Sequence, residues 1–421
     1  MTHDSRVIPE PSDGGSVARR RAWLAVATVA LGTFVMVTTE FLPIGLLSSM
    51  ARDLQVSEGT AGLMVTVPGI VAAIAAPVVT LAARNADRRL LLIALASLIL
   101  LSNAIVALSS NFGIVLAGRV LLGVSVGGFW TFAAAVGRRL VSEADGGRAT
   151  ALILAGISVG TVVGVPIGTT IGVLAGWRWA FGGVAALALL AALGQSALLP
   201  SLPSRHAVKL RDLGALFLVP RAALGFAATA LIAGGHFAAY TYLEPFLTQV
   251  AGFTASGLSW ALAAYGVTGV LGNFIGERAT AKDVRSAFLG VGVALGAAIL
   301  LAIAFGSNVF AVTVAVVLWG AAFGAVPVAV QIWTYEAAPR QFETGSALMV
   351  SVFQVALAAG AFAGGELVDR IGLRSAFGLG AALSGLSALV IYFASRLATP
   401  RGNSIDETTA SSAIQLKRME S

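Results

Sequence analysis

The sequence predicts an all-α integral membrane protein in which twelve transmembrane helices form two pseudo-symmetric six-helix bundles. The first observation is composition: 57% of the 421 residues are hydrophobic, only 11% are charged, and mean hydropathy is +0.89. An ordinary soluble domain carries about 25% charged residues. The second observation is twelve apolar segments, each near the roughly 20 residues that a membrane-spanning helix needs. The third is that motifs of the first six segments recur in the second six.

The apolar segments fall into two sets of six, separated by a short polar stretch. The first set covers 22–50, 59–82, 90–109, 112–136, 149–175 and 178–199. The second set covers 222–249, 257–277, 286–306, 309–335, 344–367 and 374–396. These bounds predict an N-terminal tail at 1–21, a first bundle at 22–199, a linker at 200–221, a second bundle at 222–397 and a C-terminal tail at 398–421.

The basic residues predict the orientation of the chain. With the N terminus on the inner side, 22 of the 27 Lys and Arg residues fall on inner segments, four fall on outer segments, and Arg119 lies within the membrane. Cytoplasmic loops of membrane proteins carry such an excess of basic residues. We therefore predict a multi-pass protein of the bacterial inner (plasma) membrane with both tails and the linker in the cytoplasm. The net charge of +7 then reflects topology, and we expect no nucleic-acid partner.

Several kinds of chemistry lack support in this sequence. Without cysteine the chain has no disulfide and no thiol nucleophile, and His3, His206 and His236 are too scattered to form a metal site. There is no Gly-x-x-x-x-Gly-Lys-Ser/Thr loop for nucleotide hydrolysis. We therefore expect no catalytic residues, metal or cofactor, and a monomer surrounded by lipid.

The two halves share sequence motifs. GWRWAFG at Gly176–Gly182 reappears 196 positions later as GLRSAFG at Gly372–Gly378. Three further pairs keep nearly this spacing: Asn111 and Asn308, Gly123 and Gly320, and Gly127 and Gly324. The position that corresponds to Arg119 is Val316. An arginine in one half only favours a specialised role over a role in the scaffold.

Glu40 and Arg119 are opposite charges within the first and fourth apolar segments. An ionised side chain at bilayer depth costs about 2.5 to 3.5 kcal/mol and usually faces a bundle interior or a watery cavity. Pairing would lower the cost for both residues. The functional interpretation is that Glu40 binds a proton and releases it when Arg119 approaches or water enters. The alternative is a static ion pair that joins two helices.

Polar and aromatic residues at helical spacing predict a solvated cavity. His236, Tyr240 and Glu244 share one face of the seventh segment, and similar stripes occur in the eighth and tenth. The alternative is hydrogen bonding between helices. The predicted cavity residues are Phe129, Trp130, His236, Tyr240, Glu244, Tyr265, Asn273 and Gln331. They suit a planar base or a sugar equally well.

Two further patterns concern packing and gating. The fifth segment has a glycine at every fourth position with a proline among them, and such a face lets another helix approach closely. The residues concerned are Gly156, Gly160, Gly164, Pro166 and Gly168. The loop after the second segment contains Asp87, Arg88 and Arg89. These residues either form a contact of a cytoplasmic gate or are only part of the excess of basic residues on cytoplasmic loops.

These motifs together resemble the drug:proton antiporter branch of the major facilitator superfamily. TTEFLPIGLL at Thr38–Leu47, GRVLLGVSVGGFW at Gly118–Trp130 and HFAAYTYLEPFL at His236–Leu247 are similar to its sugar and purine-ribonucleoside exporters. The resemblance implies the major facilitator fold, with the substrate site between the halves. It also implies that Arg119 matches an arginine linked to proton coupling and that the glycines around Pro166 match the antiporter motif. In this branch the loop between the second and third helices usually carries a glycine followed by an aspartate and a basic run. Here that signature is degenerate, and only Asp87, Arg88 and Arg89 match it.

From the residues and the resemblance, we expect an exporter that works by alternating access. Inward-moving protons would exchange for an outward-moving small organic solute, which is a purine ribonucleoside, a sugar or a drug-like molecule. Its partners are then the solute, protons and lipid, with the proton gradient as its energy source. A proton symporter or facilitator is one alternative, and a non-transporting membrane receptor is another.

Overall fold

The computed structural model describes residues 13–83, 86–203, 216–339 and 342–397. Within them the chain is helical, without strands, and twelve helices are long and apolar enough to cross a membrane. The predicted fold class is confirmed. The first six are α1 Asp13–Phe41, α2 Leu63–Ala82, α3 Arg88–Leu108, α4 Phe112–Leu140, α5, which runs from Gly146–Val159 through the π turn Gly160–Gly164 to Val165–Ala175, and α6 Trp177–Leu198. The second six are α7 Pro220–Tyr240, α8 Ala255–Lys282, α9 Val284–Ala304, α10 Val309–Ala337, α11 Phe342–Arg370 and α12 Leu373–Leu397.

The predicted tails and linker lie mostly outside the described residues, which exclude 1–12, 204–215 and 398–421. Where they are described, the helices extend past the apolar segments. α1 begins at Asp13, so the end of the predicted N-terminal tail is helical. Arg19 forms an ion pair with Asp145 and Arg21 donates to the Ala197 carbonyl, and these contacts attach the polar start of α1 to its neighbours.

Each bundle has its own buried apolar core. In the first bundle the core includes Val26, Leu122 and Phe181, and in the second it includes Phe226 and Trp319. We call the end of the bundles that carries the start of α1 and the finish of α12 the terminal end. The opposite end, with the α3–α4 and α9–α10 loops, is the distal end.

The first helix of each bundle breaks before the distal end, although the sequence predicted single segments at 22–50 and 222–249. α1 is followed by the 3-10 turn Leu42–Gly45 and a short helix Leu47–Asp53. α7 is followed by Leu243–Pro245 and the π turn Phe246–Val250. The physical reason is a proline in each break, Pro43 or Pro245, which has no N–H to continue the helical hydrogen bonds.

The repeat is visible in the backbone at corresponding positions. Gly176 and Gly372 precede the last helix of each bundle with φ of 99° and 124°, a conformation that glycine adopts without steric cost. The side chains of Asn111 and Asn308 cap α4 and α10 by accepting from backbone N–H groups. The shared GxRxAFG motif therefore encodes a turn and a helix start.

Asp53 fixes the distal start of α6 to the extension of α1. Its carboxylate forms an ion pair with Arg178 and accepts a hydrogen bond of 2.9 Å from Trp177 Nε1. The hydrogen bond from Arg178 is the main cause that holds the pKa of Asp53 below its ordinary value, and Trp177 adds to it, while slight burial acts in the opposite direction. Asp53 therefore stays ionised and keeps this contact at neutral pH.

Candidate functional site

Arg119 is fully buried in α4 and binds three backbone carbonyl oxygens. Its Nε donates to Met64 O at 2.7 Å, Nη1 to Thr39 O at 2.8 Å and Nη2 to Glu40 O at 3.1 Å. The guanidinium group therefore joins α4 to the start of α2 and to the last turn of α1. In this way a membrane-buried arginine obtains hydrogen-bond partners without forming an ion pair with a carboxylate.

Two prolines explain why these carbonyls are free. In an α-helix, a carbonyl accepts from the N–H four residues later. For Met64 that residue is Pro68, and for Thr39 it is Pro43. Neither proline has an N–H, so each leaves one acceptor without its helical donor. Arg119 supplies the missing donors, and it reaches Glu40 O because α1 ends at Phe41.

The Glu40 side chain faces the other bundle instead of Arg119. Among the described residues, the ion pairs within 4.0 Å do not include Glu40 with Arg119. The carboxylate accepts from Gln354 Nε2 of α11 at 3.4 Å, and both side chains are only 4% exposed. The structure therefore brings Glu40 and Arg119 together through the Glu40 main chain, while the acid itself lies at the junction of the bundles.

A third helix supports the same part of α1. Asn103 of α3 donates from Nδ2 to Thr39 Oγ1 and to Ile99 O, both at 2.9 Å. From the other side, a side chain at Gly164 of α5 would overlap Thr38 Oγ1. The end of α1 is thus fixed between α3, α4 and α5.

The second bundle carries a cluster of rings that we call the aromatic cluster: His236 and Tyr240 of α7, Tyr265 of α8, and Trp319 and Phe323 of α10. The His236 ring stacks on Phe323 with centroids 3.5 Å apart and on Tyr240 at 4.7 Å. Tyr240 stacks in turn on Tyr265 at 4.7 Å. Three of the predicted cavity residues, His236, Tyr240 and Tyr265, therefore lie in one cluster, buried in this conformation.

The contacts of His236 determine which of its ring nitrogens carries the proton. Trp319 Nε1 donates to His236 Nδ1 at 3.0 Å. Because the indole N–H can only donate, Nδ1 has no proton and the neutral ring carries its proton on Nε2. The hydroxyl of Tyr265 lies 3.5 Å from Nε2 and is its acceptor. The second bundle therefore offers neutral rings and dipoles here.

Glu244 lies at the distal end and, together with residues of both bundles, lines a cavity of about 700 Å³. Its Oε2 accepts from the backbone N–H of Ser48 at 2.9 Å, and Ser48 Oγ donates to Glu58 at 2.7 Å. Gln249 donates to the same Glu58 carboxylate. Residues from both bundles therefore form one hydrogen-bonded network, and Glu244 belongs to it.

A second set of distal contacts centres on Asp369 near the end of α11. Its carboxylate accepts from Ser57 Oγ at 2.6 Å and from Gly59 N at 2.9 Å. Beside it, Tyr242 Oη donates to Ala361 O at 2.8 Å and packs where side chains at Gly62 and Gly365 would lie. We call the Glu244 network and these Asp369 contacts the distal gate, which is closed in this structure.

The other predicted cavity residues lie apart from the aromatic cluster. Phe129 is fully buried in the first core, where its ring contacts Gly32 of α1. Trp130 is half-buried and packs against that core. Asn273 and Gln331 are exposed on α8 and α10.

The α5 glycines pack along α1. Side chains at Gly156 or Gly160 would meet the carbonyl oxygen of Ala30 or Phe34, and one at Gly168 would overlap Leu42. The five residues Gly160–Gly164 form a π turn, which ends two residues before Pro166. The glycine face is therefore a close helix contact, as its spacing predicts, and its role in antiport stays a prediction.

The hydrogen bonds described for the loop at Asp87, Arg88 and Arg89 go to the first bundle and to the start of the linker. Asp87 caps α3 and accepts from Ser201 Oγ and from Leu202 N, the latter at 2.8 Å. Arg89 donates to Ser196 O at 2.6 Å. These contacts attach the start of the linker to α3, and the gating role stays a prediction.

Sequence reasoning missed Gln354, Trp319, Phe323 and Asp369. Gln354 is the one amide side chain in its apolar segment. It was missed because its side chain is neutral, whereas the charge of Arg119 marks that residue. Trp319 and Phe323 resemble any apolar residue of a buried helix. Asp369 lies at a helix end, where charge is ordinary, and only the tertiary structure shows that it contacts the other bundle.

Comparison with known proteins places the chain in a family. The sequence profile of the Major Facilitator Superfamily matches residues 29–341 and 225–419, so the chain belongs to this superfamily. Together with the fold, this makes it a membrane transporter and not an enzyme. Its twelve apolar helices and its bacterial relatives support a multi-pass protein of the bacterial inner membrane.

The relatives include two proteins named purine ribonucleoside efflux pump NepI. That of Salmonella paratyphi B is 33% identical over 384 residues, which cover 91% of this chain and 96% of the pump. That of Escherichia coli O6:K15:H31 is 33% identical over 378 residues, covering 90% and 96%.

Solved structures share the fold at lower identity. One is a bacterial homologue of the human lysosomal transporter Spinster, solved in an inward-facing and unoccupied conformation. It has a TM-score of 0.72 at 16% sequence identity, and the match covers 89% of this chain and 97% of the homologue's chain. The human organic anion transporter MFSD10 has a TM-score of 0.63 at 19% identity, with coverage of 91% and 100%.

Replacing Arg119 with lysine tests the carbonyl contacts. One ammonium nitrogen cannot occupy the three positions held by the guanidinium, and each buried carbonyl left without a donor costs about 1 to 3 kcal/mol. We expect Arg119→Lys to lower the thermal unfolding midpoint clearly in detergent, whereas Arg285→Lys on the exposed start of α9 leaves it unchanged. In a Pro68→Ala background, Met64 O regains its helical donor, so the effect of Arg119→Lys should shrink. Equal effects in both backgrounds would refute the proline argument.

Asp369 can be tested through the distance between the bundles. Because the chain has no cysteine, spin labels can be attached at Ser110→Cys and Ser307→Cys, two exposed distal loop positions. Asp369→Ala removes charge-assisted hydrogen bonds worth about 1.5 to 3 kcal/mol. We expect the fraction of molecules in which the labels are far apart to be roughly tenfold larger, or more, than in the wild-type background. Glu366→Gln is the control, because Glu366 pairs with Arg370 on its own helix. Matching distance distributions would show that Asp369 does not hold the gate.

Proposed function

We propose that this transporter exports purine ribonucleosides in exchange for protons by alternating access, with both termini in the cytoplasm. The observation that carries the proposal is the buried Glu40 carboxylate at the junction of the bundles, where it meets Gln354 of the other bundle. An acid inside the membrane usually marks a proton or substrate pathway. The name of the relatives, purine ribonucleoside efflux pump, supports the direction and the solute.

Glu40 and Arg119 have different tasks in this proposal. Arg119 holds the main chain of α1 through three carbonyls, so the helix end stays in place. The Glu40 side chain is not bound by Arg119, so it can exchange its proton, and its charge then changes at the surface where the bundles separate. A change of protonation there alters the contact between bundles, which is what coupling requires.

The closed distal gate then belongs to the inward-facing state. The distal end is closed by hydrogen bonds among Ser48, Glu58, Gly59, Glu244 and Asp369. With the termini in the cytoplasm, the solute enters from the terminal end. Opening of the distal gate would release it outside.

The neutral groups of the second bundle support a nucleoside as the solute. A base stacks on an aromatic face for about 1 to 3 kcal/mol, and Phe323 is the half-buried outer ring of the aromatic cluster. Trp130 offers a second half-buried ring in the first bundle. A sugar could use the same rings through its C–H face, and the relatives favour the nucleoside.

Glu40→Gln tests proton coupling. The amide resembles only the protonated acid, so we expect normal insertion into the membrane but loss of inosine export driven by a pH gradient in liposomes. Glu143→Gln, an exposed acid at the terminal end, should transport as wild type does. Normal pH-driven export by Glu40→Gln would overturn the antiport mechanism, and wild-type export that ignores the gradient would favour a facilitator.

Trp130 is the residue to test for base stacking. Loss of about 1.4 kcal/mol or more of stacking predicts that Trp130→Ala weakens inosine export roughly tenfold or more, while Trp130→Phe keeps most of it. Trp260→Ala serves as the control, because that indole is exposed on α8. Radiolabelled inosine export at matched protein abundance measures the effect. If wild type exports no inosine, the nucleoside assignment fails, and if both Trp130 variants match wild type, Trp130 only packs.

A further inference from the structure

Gln354 links the two bundles at the one acid that the proposed function uses. It lies on α11, and one turn further along Ala358 packs against Gly69 of α2 in the other bundle. Its Nε2 donates to Glu40 Oε1, while its Oε1 is buried and has no hydrogen-bond partner in the described structure. The Gln354 amide thus faces the acid with one N–H group donating to Glu40 and with its oxygen unpaired.

The protonation state of Glu40 decides whether that acceptor is satisfied. A protonated carboxyl group has an O–H that can donate to Gln354 Oε1 while its other oxygen accepts from Nε2. An ionised carboxylate can only accept, so Gln354 Oε1 would stay buried without a donor, whichever way the amide is turned. Unsatisfied buried acceptors are unfavourable, and separation of the bundles would let water reach this one.

We propose that Gln354 is the positioning residue through which the second bundle responds to the proton on Glu40. Protonated Glu40 pairs with the amide and favours the closed distal gate, whereas ionised Glu40 favours its opening. The inference rests on the proposed function, since it takes Glu40 as the proton carrier. The inference also predicts the order of steps in antiport. A proton from outside binds Glu40 and the distal gate closes, and release of this proton inside allows the gate to open again with solute bound.

The other neighbours of Glu40 leave this response to Gln354. Among the described residues, Arg119 of α4 is the charged group whose charge acts on Glu40, and its three hydrogen bonds go to main-chain carbonyls in either protonation state of the acid. α3 presents the neutral Asn103 to the preceding residue, and α7 presents the Phe237 ring to Phe41. None of these groups gains or loses a donor when Glu40 binds a proton.

The test measures the distance between spin labels at Ser110→Cys and Ser307→Cys as a function of pH. In the wild-type background we expect the closed population to fall as pH rises. Gln354→Met, which has a similar length but no amide, should lose this pH dependence, and Gln354→Asn, whose amide is set back by one methylene, should lose most of it. Gln195→Met is the matched control, because Gln195 is also buried in a helix with an unpartnered Oε1 but lies in α6. It should respond to pH as wild type does.

The outcomes separate this inference from the proposed function. If wild type shows no pH dependence, or Glu40→Gln keeps it, then Glu40 is not the proton carrier and the proposed function fails. If Glu40→Gln removes the dependence while Gln354→Met and Gln354→Asn keep the wild-type midpoint and amplitude, only the role of Gln354 fails. Loss of the dependence in both Gln354 variants, with retention in Gln195→Met, supports the inference.

Discussion

The contact between Arg119 and three backbone carbonyls is the interaction on which the first bundle depends. Pro43 and Pro68 each remove one helical donor, and the guanidinium group of α4 replaces it for Thr39 and Met64. A buried guanidinium group is unfavourable in a membrane, and so is a buried carbonyl oxygen without a hydrogen-bond donor. Their contact removes both costs. The break in α1 and the charge in α4 therefore stabilise each other, and the end of α1 is held in a defined place.

This arrangement gives Glu40 two roles. Its carbonyl belongs to the fixed main chain, while its side chain meets Gln354 across the junction of the bundles. The distal gate lies beyond the break in α1, where Ser48 and Gly59 are bound by Glu244 and Asp369 of the second bundle. The stretch from Glu40 to Gly59 therefore carries both the contact with Gln354 and the contacts of the distal gate. A change at Glu40 and a change at the gate thus involve the same segment of backbone.

The sequence predicts the twelve helices, their grouping and the burial of Arg119, because apolar length and repeated motifs are local signals. It does not predict the partners of Arg119, since a comparison of charges points to Glu40 and ignores the carbonyls that Pro43 and Pro68 leave free. The breaks in α1 and α7 were missed because proline within an apolar run is common in membranes. Gln354 and Asp369 become part of the site only when α11 packs against α2, which no local pattern encodes.

The two bundles differ most where their sequences correspond. Val316 of α10 stands where α4 has Arg119, and three residues later Trp319 donates to His236 of α7. Neutral rings thus join α10 to α7, whereas a charge joins α4 to α1. On the proposed function this asymmetry is a division of tasks: the first bundle exchanges the proton, and the second offers planar faces to an uncharged nucleoside. Two such different sites need a residue that connects them, and Gln354 lies in the second bundle within hydrogen-bond distance of the acid in the first.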